Sequence, residues 1–218
     1  MQSYQHEFLS FAIDVGVLRF GEFTLKSGRV SPYFFNAGLF NTGNALQQLG
    51  RYYAHTAQHR FDGEFMLFGP AYKGIPLAAA TAIGFATEFG RDLAFAFDRK
   101  ESKDHGEGGR IVGAPLAGRV LVVDDVITAG LSIDHSMSLI RSAGAEPRGV
   151  VIALDRQEQA QNSAQSAVQS VVQRYNVDVE AIATLDTLVE FLAASPQHNT
   201  HLDAIVDYRQ RYGAIPTA

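Results

Sequence analysis

Two adjacent acids, Asp124 and Asp125, end the apolar run Val120 to Val123, and Thr128, Ala129, Gly130 and Ser132 follow. Gly130 frees the backbone to turn, and amides exposed where a loop opens a helix can cradle a phosphate. The hydroxyls of Thr128 and Ser132 add donors. Two carboxylates would repel a bare phosphate, so they call for sugar hydroxyls or a magnesium ion beside it. As a generic acid pair before a turn, the same residues are a strand end with two solvated acids and a capped helix. The string is not a Walker loop, which needs Gly-Lys-Ser/Thr, and no G-x-G-x-x-G opens a helix as in a Rossmann fingerprint.

A second segment, Arg99 to Gly109 (RKESKDHGEGG), gathers Arg99, Lys100, Lys103 and His105 before Gly106, Gly108 and Gly109. The glycines make a mobile loop, expected over about 99–111. Ordering such a loop costs roughly 1–2 kcal/mol per residue, so it should close only on a polyanion that offsets the cost. Read without a ligand, it is a solvated run of alternating charge. Tyr72-Lys73, in FGPAYKGIPLA (Phe68 to Ala78), lies between a strand and a helix, where a lysine beside Gly74 can meet an anion. Lys26 precedes the aromatic trio Tyr33, Phe34 and Phe35, and Arg156 stands just past an apolar run. A planar ring bearing a carboxylate wants stacking faces and a guanidinium fork. On chemistry alone, Phe34 and Phe35 are core residues and Arg156 a surface ion pair.

Together these strings resemble the orotate phosphoribosyltransferases, of the type I phosphoribosyltransferase family. Val120 to Gly130 is similar to that family's phosphoribosyl-pyrophosphate (PRPP) signature, and Arg99 to Gly109 looks like its catalytic loop at every cationic position. The resemblance implies transfer of the 5-phosphoribosyl group from PRPP to orotate, giving orotidine 5′-monophosphate and pyrophosphate in pyrimidine biosynthesis. It implies PRPP contacts from Lys26, Tyr72, Lys73, Arg99, Lys100, Lys103, His105 and the stretch Asp124, Asp125, Val126, Ile127, Thr128, Ala129, Gly130, Leu131 and Ser132. Orotate contacts would come from Lys26, Phe34, Phe35, Thr128 and Arg156. Lys103 would carry the largest catalytic role, with Asp124, Asp125, Lys73, Arg99 and His105. Mg2+ would be held mainly through PRPP, with Asp124 or Asp125 as possible ligands. The resemblance further implies a homodimer sharing its catalytic loop between subunits, and a non-proline cis peptide in the Tyr72-Lys73 turn. The likeness covers essentially the whole chain, departing at Gln157 to Gln169, which is rich in Gln, Ala and Ser. The rivals are a phosphoribosyltransferase for another base, such as uracil or a purine, and a non-catalytic PRPP-sensing regulator. The first would not join this lysine loop to Lys26 and Phe34-Phe35; the second would need a nucleic-acid-binding attachment and have little use for the loop lysines.

The elements that must position these groups alternate. Helices are expected over Tyr4 to Val15, Asn44 to Arg60, Gly74 to Phe89, Ser132 to Ala143 and Leu188 to Ala194, the last capped by Asp186. Short strands surround the turn Lys26 to Arg29 within Phe20 to Ala37. Further apolar runs are Phe65 to Phe68, Leu93 to Phe97, Arg119 to Val123, Gly149 to Leu154 and Val177 to Thr184. That alternation gives an α/β chain with a central, mainly parallel sheet flanked by helices, whose ligands bind beyond the carboxyl ends of the strands. The resemblance adds a small hood over about 1–40, built largely from the N-terminal segment of a single domain. The part after Pro196 shows packing and no chemistry.

Composition bounds the function. The 218 residues suffice for one domain with a real core, and a net charge of -5 disfavours a nucleic-acid binder. There is no cysteine, which excludes disulfides, a thiol nucleophile and thiolate metal ligands. Met1 to Ser10 lacks the basic start and apolar run of a signal peptide, and Ile75 to Ala86 is too short to span a bilayer. A cytoplasmic protein is expected.

Overall fold

A computed structural model describes the chain except Lys26, 104–108, Ala129, Asn162 and 216–218; of 100–103 and 109 it describes the backbone only. Its main sheet has six strands in the order β5-β4-β3-β6-β7-β8. These are β3 (Met66–Gly69), β4 (Phe95–Lys103), β5 (Gly109–Gly113), β6 (Arg119–Val123), β7 (Glu146–Asp155) and β8 (Asp178–Thr184). All neighbours pair in parallel except β4 with the edge strand β5.

Alternating side chains serve two cores. Leu67, Leu121, Val123, Val151 and Ala153 face one cluster; Met66, Phe68, Val120, Val122, Val150 and Ile152 face the other. The strands are therefore apolar on both faces, as a parallel sheet sandwiched by helices requires. The first face is covered by α1 (Ser3–Asp14), α2 (Gly43–Arg60), α3 (Gly74–Phe89) and α6 (Leu185–Ala194). The second is covered by α4 (Leu131–Ser142) and α5 (Ala167–Tyr175). Leu121 is wholly buried, so truncating it to Ala removes about 2–5 kcal/mol.

A separate antiparallel hairpin, β1 (Leu18–Thr24) with β2 (Val30–Phe35), stands beside this sandwich. It is backed by α7 (Leu202–Tyr212) from the far end of the chain, with the Tyr33 and Tyr208 rings edge to face at 6.2 Å. The segment after Pro196 thus supports the hairpin.

Four details differ from the sequence expectation. β4 runs on through Arg99, Lys100 and Lys103, where a mobile loop was expected to follow Phe97. The antiparallel partner β5 makes this possible by supplying the missing ladder hydrogen bonds. Helix α5 begins at the end of the Gln-rich stretch, started by a capping box between Ser166 and Gln169, and runs beyond it to Tyr175. Helix α7 was not anticipated. Helix α6 starts at Leu185, capped by the Thr184 hydroxyl at Thr187 N, and Asp186 lies in its first turn.

Candidate active site

The carboxyl ends of β4, β3, β6 and β7 lie side by side, and the singled-out segments leave from them. At the end of β6 the backbone is pinned from both sides. Asp124 N donates to Val151 O at 3.1 Å, and Ala153 N donates to Asp125 O at 2.8 Å. From α2 the wholly buried Tyr53 donates its hydroxyl to Asp124 O at 2.7 Å. The acids are thereby fixed in place with only 6% and 7% exposure.

Burial raises the Asp124 carboxyl to a pKa of about 6, against the pull of a Ser132 hydrogen bond, and the charge of Asp125 adds to the rise. Its oxygens have partners: Asp125 N at 2.9 Å on Oδ1 and Ser132 Oγ at 2.8 Å on Oδ2. The Ser132 hydroxyl, expected at a phosphate, thus serves the acid in this state. Asp125 Oδ2 is paired with Lys73 Nζ. Lys73 is otherwise 61% exposed, so its ammonium can exchange that partner for an incoming anion.

Beyond Asp125 the chain turns through Val126, Ile127 and the exposed Thr128 into α4, whose N-cap Gly130 has φ 75°. A glycine is suited there because left-handed backbone is strained for other residues. Leu131 opens the helix with its side chain 73% exposed, an apolar group at the mouth of a polar loop.

The turn after β3 is held tightly. A Cβ on Gly69 would lie 2.0 Å from Gly74 O, so only glycine lets strand end and helix start approach this closely. The peptide Ala71-Tyr72 is cis, as expected, and Tyr72 is exposed. Alongside, Arg99 of β4 has a buried Nε with no hydrogen-bond partner among the described residues. Such a donor wants an acceptor. Lys73, Arg99, Asp124, Asp125, Thr128 and Ser132 are thus carried on the strand ends and loops at one edge of the sheet. Lys100 and Lys103 join through the β4 backbone; Lys26, His105 and Ala129 lie outside the described residues.

The hairpin side is organised differently. Arg156, past the end of β7, gives Nε to Glu158 Oε1 at 2.8 Å and Nη2 to the same oxygen at 2.6 Å and to Ser31 Oγ at 3.1 Å. Its guanidinium lies 4.4 Å over the Tyr33 ring. Burial would lower its pKa, but the neighbouring Tyr33 and Glu158 outweigh that and raise it. Nη1 makes no hydrogen bond to any described residue, leaving one edge of the fork for a carboxylate. Phe35 turns into the main core beside Phe8, with ring centroids 6.4 Å apart. Phe34, on the other face of β2, stacks on Phe23 at 5.5 Å. The core assignment from chemistry alone therefore fits Phe35 and leaves Phe34 half-buried.

Four contributors carried no signal of their own in the sequence: Tyr53, Asp98, His135 and Glu158. Asp98 had the nearest hint, an acid ending an apolar run as Asp124 does. Tyr53 works through its hydroxyl tip 71 residues away in the chain, which local spacing does not reveal.

Among the described residues no three His, Cys, Asp or Glu side chains gather to hold a metal ion. Two carboxylates on one strand end do fit a hard cation whose remaining ligands are substrate oxygens and water, the usual manner of Mg2+. Among those residues no helix is long and apolar enough to cross a membrane.

Comparison with known proteins agrees with this architecture. Residues 38–183 match the model of the phosphoribosyl transferase domain. The chain is 60% identical over 213 residues to an orotate phosphoribosyltransferase of Thioalkalivibrio sulfidiphilus, covering 98% of this chain and 100% of the relative. A relative of the same name from Stutzerimonas stutzeri is 58% identical, with 98% and 100% covered. Among solved structures, orotate phosphoribosyltransferase of Francisella tularensis superimposes with a TM-score of 0.85 at 44% identity, covering 95% of this chain and 99% of that one. Adenine phosphoribosyltransferase from Thermoanaerobacter pseudethanolicus has a TM-score of 0.50 at 12% identity over 81% of this chain and 99% of that one, a likeness of fold alone.

Proposed function

The chain belongs to the orotate phosphoribosyltransferase family, and on that premise we propose how its own residues transfer the 5-phosphoribosyl group from PRPP to orotate, releasing pyrophosphate. The observation that carries the proposal is the acid pair buried at the end of β6 and joined to the Lys73 turn, with Arg99 Nε on the same sheet buried and without a hydrogen-bond partner among the described residues.

The amides and hydroxyls of the Thr128 to Ser132 loop hold the 5′-phosphate at the start of α4. Asp124 and Asp125 accept from the ribose hydroxyls and favour the positive, oxocarbenium-like ribose that develops at the anomeric carbon. Lys73 leaves Asp125 for the pyrophosphate, where Arg99, Lys100, Lys103 and His105 join it. Asp124 or Asp125 would hold Mg2+ together with PRPP oxygens, and the ion would add to the neutralisation of the leaving charge. The anomeric carbon–oxygen bond to pyrophosphate breaks, the orotate ring nitrogen bonds to that carbon from the opposite face, and the nitrogen's proton leaves to the departing pyrophosphate or to solvent. Lys103 has the largest part, as the cation or acid at the departing oxygen.

Lys26, Phe34 and Thr128 contact orotate, and its carboxylate is directed toward Arg156. Phe35 supports this wall from the core. Residues of about 1–40 form the hood of a single domain, and the catalytic loop of about 99–111 is shared across a homodimer, part of it reaching into the neighbouring subunit's site. The enzyme works in the cytoplasm.

The test follows orotate absorbance with purified protein, PRPP and magnesium, with uracil and hypoxanthine in parallel. Orotate consumption that stops on chelation is expected. Consumption of another base alone would overturn the base wall, and PRPP binding without turnover of any base would make the chain a sensor.

A further inference from the structure

One buried charge remains outside this chemistry. Asp98, on β4 immediately before Arg99, is 3% exposed. Its Oδ1 accepts from Ala71 N at 2.5 Å, in the turn that carries Tyr72 and Lys73. Its Oδ2 meets Nε2 of His135, on α4, at 3.0 Å. One carboxylate thus ties together the strand bearing Arg99, the turn bearing Lys73 and the helix that opens with the phosphate loop.

We propose that Asp98 is a positioning residue for the pyrophosphate half of the site, with His135 as its outer support. A buried carboxylate is costly unless its oxygens are satisfied, so the two bonds hold it in one geometry, and the backbone of the turn is held with it. Without it, Ala71 N is an unsatisfied amide and the turn loses the side-chain acceptor that holds its backbone. Lys73 and Arg99 then no longer converge. Among the described residues, the base wall on the hairpin and past β7 makes no hydrogen bond or ion pair with this carboxylate. The effect therefore falls on pyrophosphate and PRPP and spares orotate.

This rests on the proposed function, and direct binding separates the two. Calorimetric titration with magnesium pyrophosphate would be run beside steady-state KM measurements for PRPP and orotate, on the wild-type protein and on Asp98→Ala, Asp98→Asn and His135→Leu. Asp98→Ala should weaken pyrophosphate and raise the KM for PRPP about tenfold, the scale of an orphaned buried amide. The KM for orotate should stay within about twofold of wild type. Asp98→Asn keeps an acceptor for Ala71 N and should restore most of the pyrophosphate affinity. His135→Leu, at a half-exposed position, should weaken pyrophosphate by a smaller factor and serves as the probe if Asp98→Ala does not fold. Equal losses for both substrates, or a fall in kcat with both KM values unchanged, would overturn the assignment. So would unchanged pyrophosphate affinity in His135→Leu or in folded Asp98→Ala. Wild-type protein that binds pyrophosphate but leaves orotate untouched would sink the base assignment and leave this one standing. Wild-type protein that does not bind pyrophosphate would sink both.

Discussion

The strand-end side of the site and the hairpin side meet the same problem, charge held out of water, with opposite solutions. On the strand-end side the balance is incomplete: Asp124, at the end of β6, is pushed up to a pKa of about 6, chiefly by burial, and Arg99 Nε, on β4, has no hydrogen-bond partner among the described residues. On the hairpin side Arg156 is already paired with Glu158, bonded to Ser31 and laid on Tyr33. The first region is tuned for a ligand that brings charge and hydroxyls; the second is assembled beforehand and offers only a free edge. On the proposed function, reactive chemistry sits where the free protein bears electrostatic cost, and base selection sits where the charges are already paired.

Four changes would break or sharpen that contrast. The largest effect is expected from Lys103→Ala, which should lower kcat by about 10²–10³-fold, the scale of a lost transition-state contact. Near-normal turnover at saturating substrates would remove Lys103 from its role. Next, Arg156→Ala should raise the KM for orotate about 100-fold and leave that for PRPP nearly unchanged. A matching change in PRPP would mean that the two sides are not separate. It should also destabilise the fold, because Glu158 keeps only the longer contacts to Arg29 and the Tyr33 hydroxyl.

Asp124→Asn should impair turnover and yet stabilise the free protein. An unfolded aspartate titrates near 3.9, whereas Asp124 in the fold titrates at about 6. Between those values the folded chain holds a proton that the unfolded chain has lost, so stability falls as pH rises across that window. Above it the deficit is complete, on the order of 2–3 kcal/mol. The variant should therefore melt several degrees higher at pH 7.5 and show no advantage near pH 3.5 in thermal scans. A lower melting temperature at pH 7.5 would show that the acid is not strained in the free state. The smallest effect belongs to Phe34→Leu, a few-fold rise in the KM for orotate from lost stacking. An equal effect from the core residue Phe35 would place the aromatic contribution in packing instead.

Much of the strand-end side was legible because its signals are local. The run Arg119 to Val123 and the helix Gly74 to Phe89 fall at their expected bounds, and the acid pair and the Lys73 turn come together as their strand ends implied. What was missed depends on partners distant in sequence. β5 is short and glycine-bounded, and it becomes a strand only by pairing with β4. Helix α5 lies in a polar stretch and buries little beyond Val171. Helix α7 gains its place through Tyr208 against Tyr33. The bond from Tyr53 to Asp124 and the clasp of Asp98 on Ala71 likewise have no periodicity to betray them.

The most direct test of the contrast is proton release on binding. Calorimetric titration with PRPP and magnesium at pH 6, in buffers of different ionisation enthalpy, measures protons displaced in wild type and in Asp124→Asn. With Asp124 half protonated when free and ionised against the ribose when bound, wild type should release about half a proton more than the variant. Equal release by the two proteins would contradict the account, because Asp124 would then carry no electrostatic cost for the ligand to relieve.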